Sequence, residues 1–284
     1  MEVILAKTAG FCFGVERAVN MVHEQVEKGV SPLYTYGPIV HNEQVVADFE
    51  TKGVSVISSP EELSAITEGT VVVRAHGVGP DVYEIIARNH LTLIDATCPF
   101  VKKIHRIVEE KSAEGYTIVI AGDASHPEVQ GIMGWCKNSR VIVVNSIEET
   151  ENFQNPNGEK LCLVSQTTFN AKKFELFVEV FKKKSYTCIV VNTICNATDE
   201  RQKEACEIAS KADVMIVIGG RSSSNTRKLY EICKDECDDT YYIQTLEDFV
   251  FERGRQVSTV GITAGASTPK NIIKEVQNYV RNEF

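Results

Sequence analysis

No apolar run in this chain is long enough to cross a bilayer. The longest, such as VMIVIGG from Val214, fall far short of the ~20 residues that a spanning helix needs. A leader pattern is missing too: Met1 runs directly into the strand-like EVILA, so neither a signal nor a transit segment is expected. Positive charge is in short supply. Lys and Arg number 30 against 39 Asp and Glu, giving a net charge of −9, which argues against broad nucleic-acid binding and leaves room only for a local anion site. CxxC pairs are absent, Cys233 and Cys237 being the closest spacing, and the nine cysteines are odd in number with no framework pattern. A disulfide scaffold is therefore disfavoured. A reduced, cytoplasmic setting is expected, in which some thiols are available as metal ligands.

What is present is ordinary for a globular chain: 43% hydrophobic and 24% charged residues over 284 positions, close to the size at which one core divides into domains. Short β-branched runs alternate with longer amphipathic stretches, which predicts an α/β fold with mainly parallel sheets. Strands are expected at 2–6, 70–74, 91–95, 117–121, 141–144, 161–165, 188–192, 214–218 and 257–262. Helices are expected at 15–28, 100–114, 171–183, 199–210, 226–233 and 270–281.

A slow repeat underlies this alternation. EVILAKTAGFC, TLIDATC and CIVVNTIC each lead a strand through a polar turn to a cysteine just before a helix. These cysteines are Cys12, Cys98 and Cys195, 86 and 97 residues apart. A second strand in each unit ends in a polar loop, at His41, at His126 and at Ser222–Asn225. A third does so at His76, at Thr167–Thr168 and at Ser267–Thr268. The repeat predicts three similar small α/β domains, 1–97, 98–194 and 195–284, with residues 1–13 able to pack on the third. Ligands bind at the carboxyl edge of open parallel sheets, and a pseudo-threefold assembly would bring the three edges to one centre.

Three cysteines so placed suit a zinc site completed by one histidine, or an iron–sulfur cluster with one iron lacking a protein ligand. Each precedes a helix N-terminus, where backbone donors favour thiolate over thiol, and Cys98-Pro99 shows this most directly. Cys136, Cys162, Cys188, Cys206, Cys233 and Cys237 read as packing residues, with metal binding by Cys233 and Cys237 from one shared helix face as the alternative for that pair. The loop residues suggest an anion. His126-Pro127, Ser224-Asn225 and Ser267-Thr268-Pro269 resemble helix starts, which bind phosphate through unpaired N–H groups. His23, His90 and His105 lack that context. Glu128, two residues after His126, is either a general acid in a site of low polarity or a glutamate that complements a helix dipole.

Taken together, AGFCFGVERAV, GPIVHN, VRAHGV, DATCPFV, GDASHPEVQG, SQTT, NTICNATDERQ, SSSN and TAGASTP resemble the 4-hydroxy-3-methylbut-2-enyl diphosphate reductase family from Ala9 to Pro269. The resemblance implies a cloverleaf of three α/β domains holding a [4Fe–4S] cluster on Cys12, Cys98 and Cys195, with the fourth iron open. It places His41, His76, His126, Ser223, Ser224, Asn225 and Ser267 around the diphosphate, and Glu128 and Thr167 in proton delivery with His126 beside them. Only the last three residues of SSSN fit the family's SSN triplet, so Ser222 has no assigned part. The implied reaction is a reductive dehydroxylation that yields isopentenyl and dimethylallyl diphosphate, with electrons from a ferredoxin or flavodoxin. Two other readings compete: a three-cysteine [4Fe–4S] dehydratase of the quinolinate synthase kind, and a structural protein holding zinc.

Overall fold

The computed structural model describes residues 1–137, 139–250 and 257–283. Its elements fall into two compact units: Met1–Glu16, Val40–Asp48 and the chain from Asn196 onward form one, Arg17–Ile39 and Phe49–Cys195 the other. Among the described residues all strand pairing is parallel, in three four-stranded sheets. Among the described residues no helix is long and apolar enough to cross a membrane.

The second unit carries two of the sheets. One contains β2 (Leu33–Tyr36), β3 (Val54–Ile57), β4 (Thr70–Val73) and β5 (Thr92–Asp95), in the order β3-β2-β4-β5. The other contains β6 (Thr117–Ala121), β7 (Val141–Val144), β8 (Leu161–Ser165) and β9 (Cys188–Val190), in the order β7-β6-β8-β9. Central strands β4, β6 and β8 are buried along their whole length, whereas β5 and β9 at the edges are half exposed. That difference explains the sequence, because a central parallel strand needs apolar residues on both faces and an edge strand does not. In β8, Leu161 and Leu163 pack beside Phe174, Phe177 and Phe181 of α8 (Ala171–Lys183). Cys162 and Val164 face the other way, with Ile104 and Val108 of α5 (Pro99–Ala113).

The first unit holds the third sheet: β1 (Glu2–Leu5), β10 (Val214–Ile218), β11 (Thr240–Ile243) and β12 (Thr259–Ala264). Their order is β1-β12-β10-β11, with Glu2 opposite Thr259 and Leu5 opposite Ile262. Along β10, Val214, Ile216 and Ile218 belong to one apolar cluster, while Met215 and Val217 belong to the other. All three sheets thus share one order, with the strand that leads to a cysteine at the same edge. In the third, that strand comes from far upstream in the chain.

Several elements lie outside the predicted set. β2, β3 and β11 are four residues each, and α2 (Glu43–Thr51), α3 (Pro60–Ala65), α4 (Pro80–Arg88), α6 (Pro127–Gly134) and α7 (Ile147–Asn152) are shorter than the roughly 11–18 residues over which helical periodicity is read. Caps rather than periodicity define some of them. Ser59 accepts from Glu62 N and Ser146 from Glu149 N, and each glutamate reaches back to the backbone N–H of Ser58 or Asn145.

Candidate active site

Each candidate metal ligand is fixed in the same way. Beyond β1, β5 and β9 the chain makes one more sheet-like bond: Cys12 N donates to Ala266 O at 3.2 Å, Cys98 N to Ala75 O at 3.0 Å and Cys195 N to Thr167 O at 3.0 Å. The partners are the loops that carry Ser267, His76 and Thr167 itself. Immediately afterwards a helix starts: α1 (Phe13–Glu27) after Cys12, α5 after Cys98 and α9 (Asn196–Ala209) after Cys195. All three thiols are half-buried. The other cysteines differ. Burial pushes Cys136 and Cys233 up to about 12 and Cys162 up to about 11, so they remain protonated thiols. Cys188, half-buried, packs against the cluster of Phe174, Phe177 and Phe181, and burial pushes it up to about 11. Only the packing assignment of Cys206 needs correction, since it is half-buried and its thiol donates to Glu236 Oε1 at 3.5 Å.

In the second unit, α6 starts at Pro127 with His126 as its cap. His126 Nδ1 accepts from Glu128 N at 3.1 Å, and because a backbone N–H can only donate, the ring proton sits on Nε2. Neutral His126 is therefore already a donor. Glu128 is 2% exposed, and its two oxygens are occupied by one residue: Thr167 N donates to Oε1 at 2.6 Å and Thr167 Oγ1 to Oε2 at 2.7 Å. His76 lies edge-on to His126, ring centroids 5.5 Å apart. The next residue, Gly77, has φ +72, and a Cβ there would come within 2.7 Å of His105 Cε1 and 2.9 Å of Thr97 Cγ2. Glycine at this position thus lets the His76 turn close on the segment leading to Cys98. Trp135 at the end of α6 stacks on His105 and donates from Nε1 to Val78 O at 2.8 Å, tying the His126 helix to the His76 turn.

The first unit gathers His41, Ser222, Ser223, Asn225 and Ser267. His41 Nδ1 lies 3.1 Å from Ser222 O, and a carbonyl can only accept, so this ring carries its proton on Nδ1. The two histidines hold opposite tautomers. A neutral His126 can donate to an anion from Nε2, whereas His41 must gain a second proton to do so. Ser223 caps α10 (Ser224–Glu236): its Oγ accepts from Thr226 N and Thr226 Oγ1, which leaves its own O–H to donate outward. Asn225 is 6% exposed with Nδ2 lacking a hydrogen-bond partner, a second donor in the same helix turn. Ser267 uses its hydroxyl on His41 O at 2.9 Å, so here it positions the histidine loop. Ser222, without an assigned part, donates to Glu43 Oε1 at 2.9 Å and helps hold the His41 loop against α10.

Residues 3–281 of the chain match the LytB protein family model. The chain belongs to the LytB family. This LytB-family chain is 47% identical over 284 residues to the 4-hydroxy-3-methylbut-2-enyl diphosphate reductase of Caldanaerobacter subterraneus subsp. tengcongensis, covering 99% of this chain and 97% of the relative. It is 42% identical to the enzyme of that name from Clostridioides difficile, over 99% and 100% of the two chains. Among solved structures, the E-1-hydroxy-2-methyl-but-2-enyl-4-diphosphate reductase from Plasmodium falciparum aligns with a TM-score of 0.91 at 30% identity, over 99% of this chain and 88% of that one. An (E)-4-hydroxy-3-methyl-but-2-enyl diphosphate reductase, described as the terminal enzyme of the non-mevalonate pathway, aligns with a TM-score of 0.68 at 40% identity, over 99% of both.

Position in the LytB fold also shows what motif reading missed. Asn42, not His41, occupies the cap of α2 that corresponds to His126 and Ser223 in the other sheets: its Oδ1 accepts from Gln44 N and Val45 N, and it is 2% exposed. Gln166, fully buried, accepts from Asp123 N and donates to Thr168 Oγ1, which orients the SQTT loop. The polar GPIVHN and SQTT strings contain these residues, but only the caps and bonds separate them from their neighbours.

Proposed function

We propose that this chain reduces (E)-4-hydroxy-3-methylbut-2-enyl diphosphate to isopentenyl and dimethylallyl diphosphate. The substrate takes up two electrons and two protons, its C–O bond breaks, and the hydroxyl leaves as water. Family membership supports the activity, and one observation supports the site: a buried glutamate bonded at both oxygens to a single threonine, in a unit that also presents two cysteines at helix starts.

Cys12, Cys98 and Cys195 would hold a [4Fe–4S] cluster, which when bound supplies the electrons. The donor set suits it, for each thiol is half-buried at a helix start while the core cysteines are held protonated. Glu128 and Thr167 deliver the proton. With Glu128 protonated, the 2.7 Å line between Oε2 and Oγ1 runs in reverse: Thr167 takes the glutamate's proton and passes its own to the leaving oxygen. The diphosphate takes donors at helix starts, namely His126 Nε2–H in the second unit and the Ser223 hydroxyl, Ser224 and Asn225 Nδ2 in the first, with His41 adding charge as imidazolium. His76 adds a ring next to His126, and Ser267 contributes by orienting His41. Such donors stabilise an anion with no lysine among them, in keeping with the net charge of −9. A small ferredoxin or flavodoxin in the cytoplasm would supply the electrons.

The test is anaerobic purification followed by turnover of the hydroxymethylbutenyl diphosphate with a dithionite-reduced donor. Both five-carbon diphosphates should appear. An iron-loaded protein that forms neither would refute the reaction, and a colourless protein with stoichiometric zinc would refute the cluster.

A further inference from the structure

Two arginines that belong to no reacting group grip the backbone just before candidate ligands. Arg17, on the helix that follows Cys12, donates from Nη1 to Ala96 O and Thr97 O, both at 3.3 Å, and from Nη2 to Asp95 O at 3.4 Å. Those three carbonyls immediately precede Cys98. Arg201, on the helix that follows Cys195, donates from Nε to Thr8 O at 2.9 Å and from Nη2 to Thr8 O and to Gly10 O, the last at 2.8 Å. It is 3% exposed. One turn further along α9, Glu204 accepts from Lys7 N at 2.8 Å, Thr8 N at 2.9 Å and Thr8 Oγ1 at 2.6 Å. The approach to Cys12 is thus held through its carbonyls and its amides alike, with Gly10 at φ +99 making the bend between them.

We infer that Arg201 and Arg17 are positioning residues for the Cys12 and Cys98 ligands, an inference that rests on reading those cysteines as cluster ligands. Burying a guanidinium costs several kcal/mol unless its donors are satisfied, and Arg201 meets that cost on the backbone of one short loop. The bonds do more than fasten. Each guanidinium also sets a fixed positive charge on a carbonyl within two residues of its ligand, Gly10 O before Cys12 and Thr97 O before Cys98, which favours added electron density there. The loop before Cys195 is fastened differently: Thr193 Oγ1 donates to Ser165 O at 2.6 Å and accepts from Ser165 N at 2.7 Å. The latch on the two loops is cationic, that on the third a neutral hydroxyl.

The experiment compares parent, R201M and R201K holoproteins purified anaerobically, measuring iron release to a chelator and the cluster's midpoint potential by EPR-monitored titration. R201M should release iron about tenfold faster or more, with a more negative potential. R201K keeps the charge with fewer bonds, so its potential should stay near the parent's while its release rate lies between the two. R17M, losing longer bonds, should show the smaller effect. An R201M protein with parental release and potential overturns the inference, and so does faster release with an unmoved potential, which a merely structural role would give. Should R201M fail to fold, E204Q loosens the same loop while retaining the arginine. It should accelerate release and move the potential in the positive direction, because a negative charge is lost beside the same loop, and parental values of both overturn the inference. A parent protein without iron overturns the cluster reading, and this inference falls with it; an iron-loaded parent confines any failure to the arginines.

Discussion

Exchanging Glu128 for glutamine alters a single atom of a buried side chain, and the surroundings allow its consequence to be worked out. Thr167 N is a fixed donor at 2.6 Å from Oε1, so the amide oxygen must take that place. The amide nitrogen then faces Thr167 Oγ1, formerly 2.7 Å from Oε2, and the hydroxyl rotates to accept from it. Both bonds survive in neutral form. Loss of their charge assistance and relief of a buried carboxylate oppose each other, so stability should change by no more than about 1 kcal/mol. Proton delivery, in contrast, disappears, because an amide cannot protonate Thr167. General acid catalysis contributes roughly 10²–10⁴ in rate, equivalent to ~2.7–5.4 kcal/mol in the barrier. Anaerobic turnover should fall by that factor while iron, sulfide and thermal midpoint stay near parental. A Glu128→Gln protein with full iron and kcat within about tenfold of the parent would refute the relay.

Thr167→Val keeps the backbone bond to Oε1 but leaves Oε2 short of a donor; chemical denaturation should show a loss of ~1–3 kcal/mol, and unchanged stability would mean the hydroxyl bond is not made. Cys195→Ser should lose its cluster, whereas Cys206→Ser, altering only a thiol beside Glu236, should keep it; iron analysis of both checks this, and equal loss would refute the ligand assignment. Burial lowers His105 from 6.5 to about 4, so the unfolded chain binds its proton more readily than the fold does. The resulting stability is complete above the unfolded value and is lost as pH falls through that window, by up to roughly 3 kcal/mol. Denaturant midpoints of His105→Phe, taken between about pH 7 and pH 4, should fall less steeply than the parent's; an identical slope would place the titration elsewhere.

How much the residues disclosed in advance depended on the range of each interaction. The Cys98-Pro99 pair announces a helix start because proline's geometry is local, and α5 begins there. The buried runs VMIVI and LCLVS announce central strands, since both faces of a parallel sheet need apolar side chains. LYTY and TYYI do not, because four residues of mixed polarity look like loop until a neighbouring strand pairs with them. α6 was hidden by Gly131 and Gly134, which break the helical pattern. Gly134 is needed because a Cβ there would approach Gly79 Cα to 3.0 Å, where that helix crosses the turn after β4. Arg17 and Arg201 were illegible for another reason: their partners are main-chain carbonyls more than 75 residues distant, and carbonyls have no signature in a sequence. The histidine tautomers depend likewise on backbone groups, and only the fold supplies those.

The displaced edge strand of the third sheet bears on the order of events during synthesis. β1 has its partner in β12, so Glu2 waits for Thr259 before either can pair. β2 to β9 find their partners as the chain lengthens, and their two sheets can be complete while β1 still lacks a neighbour. Contacts so distant in sequence form late. The loop bearing Cys12 is consequently one of the last parts of the molecule to take shape, because Ala266, which holds its backbone, lies just past β12. A cofactor held by this thiol would be loaded only onto a chain translated through β12, and a chain cut short before that strand would keep two complete sheets with the Cys12 loop still unformed.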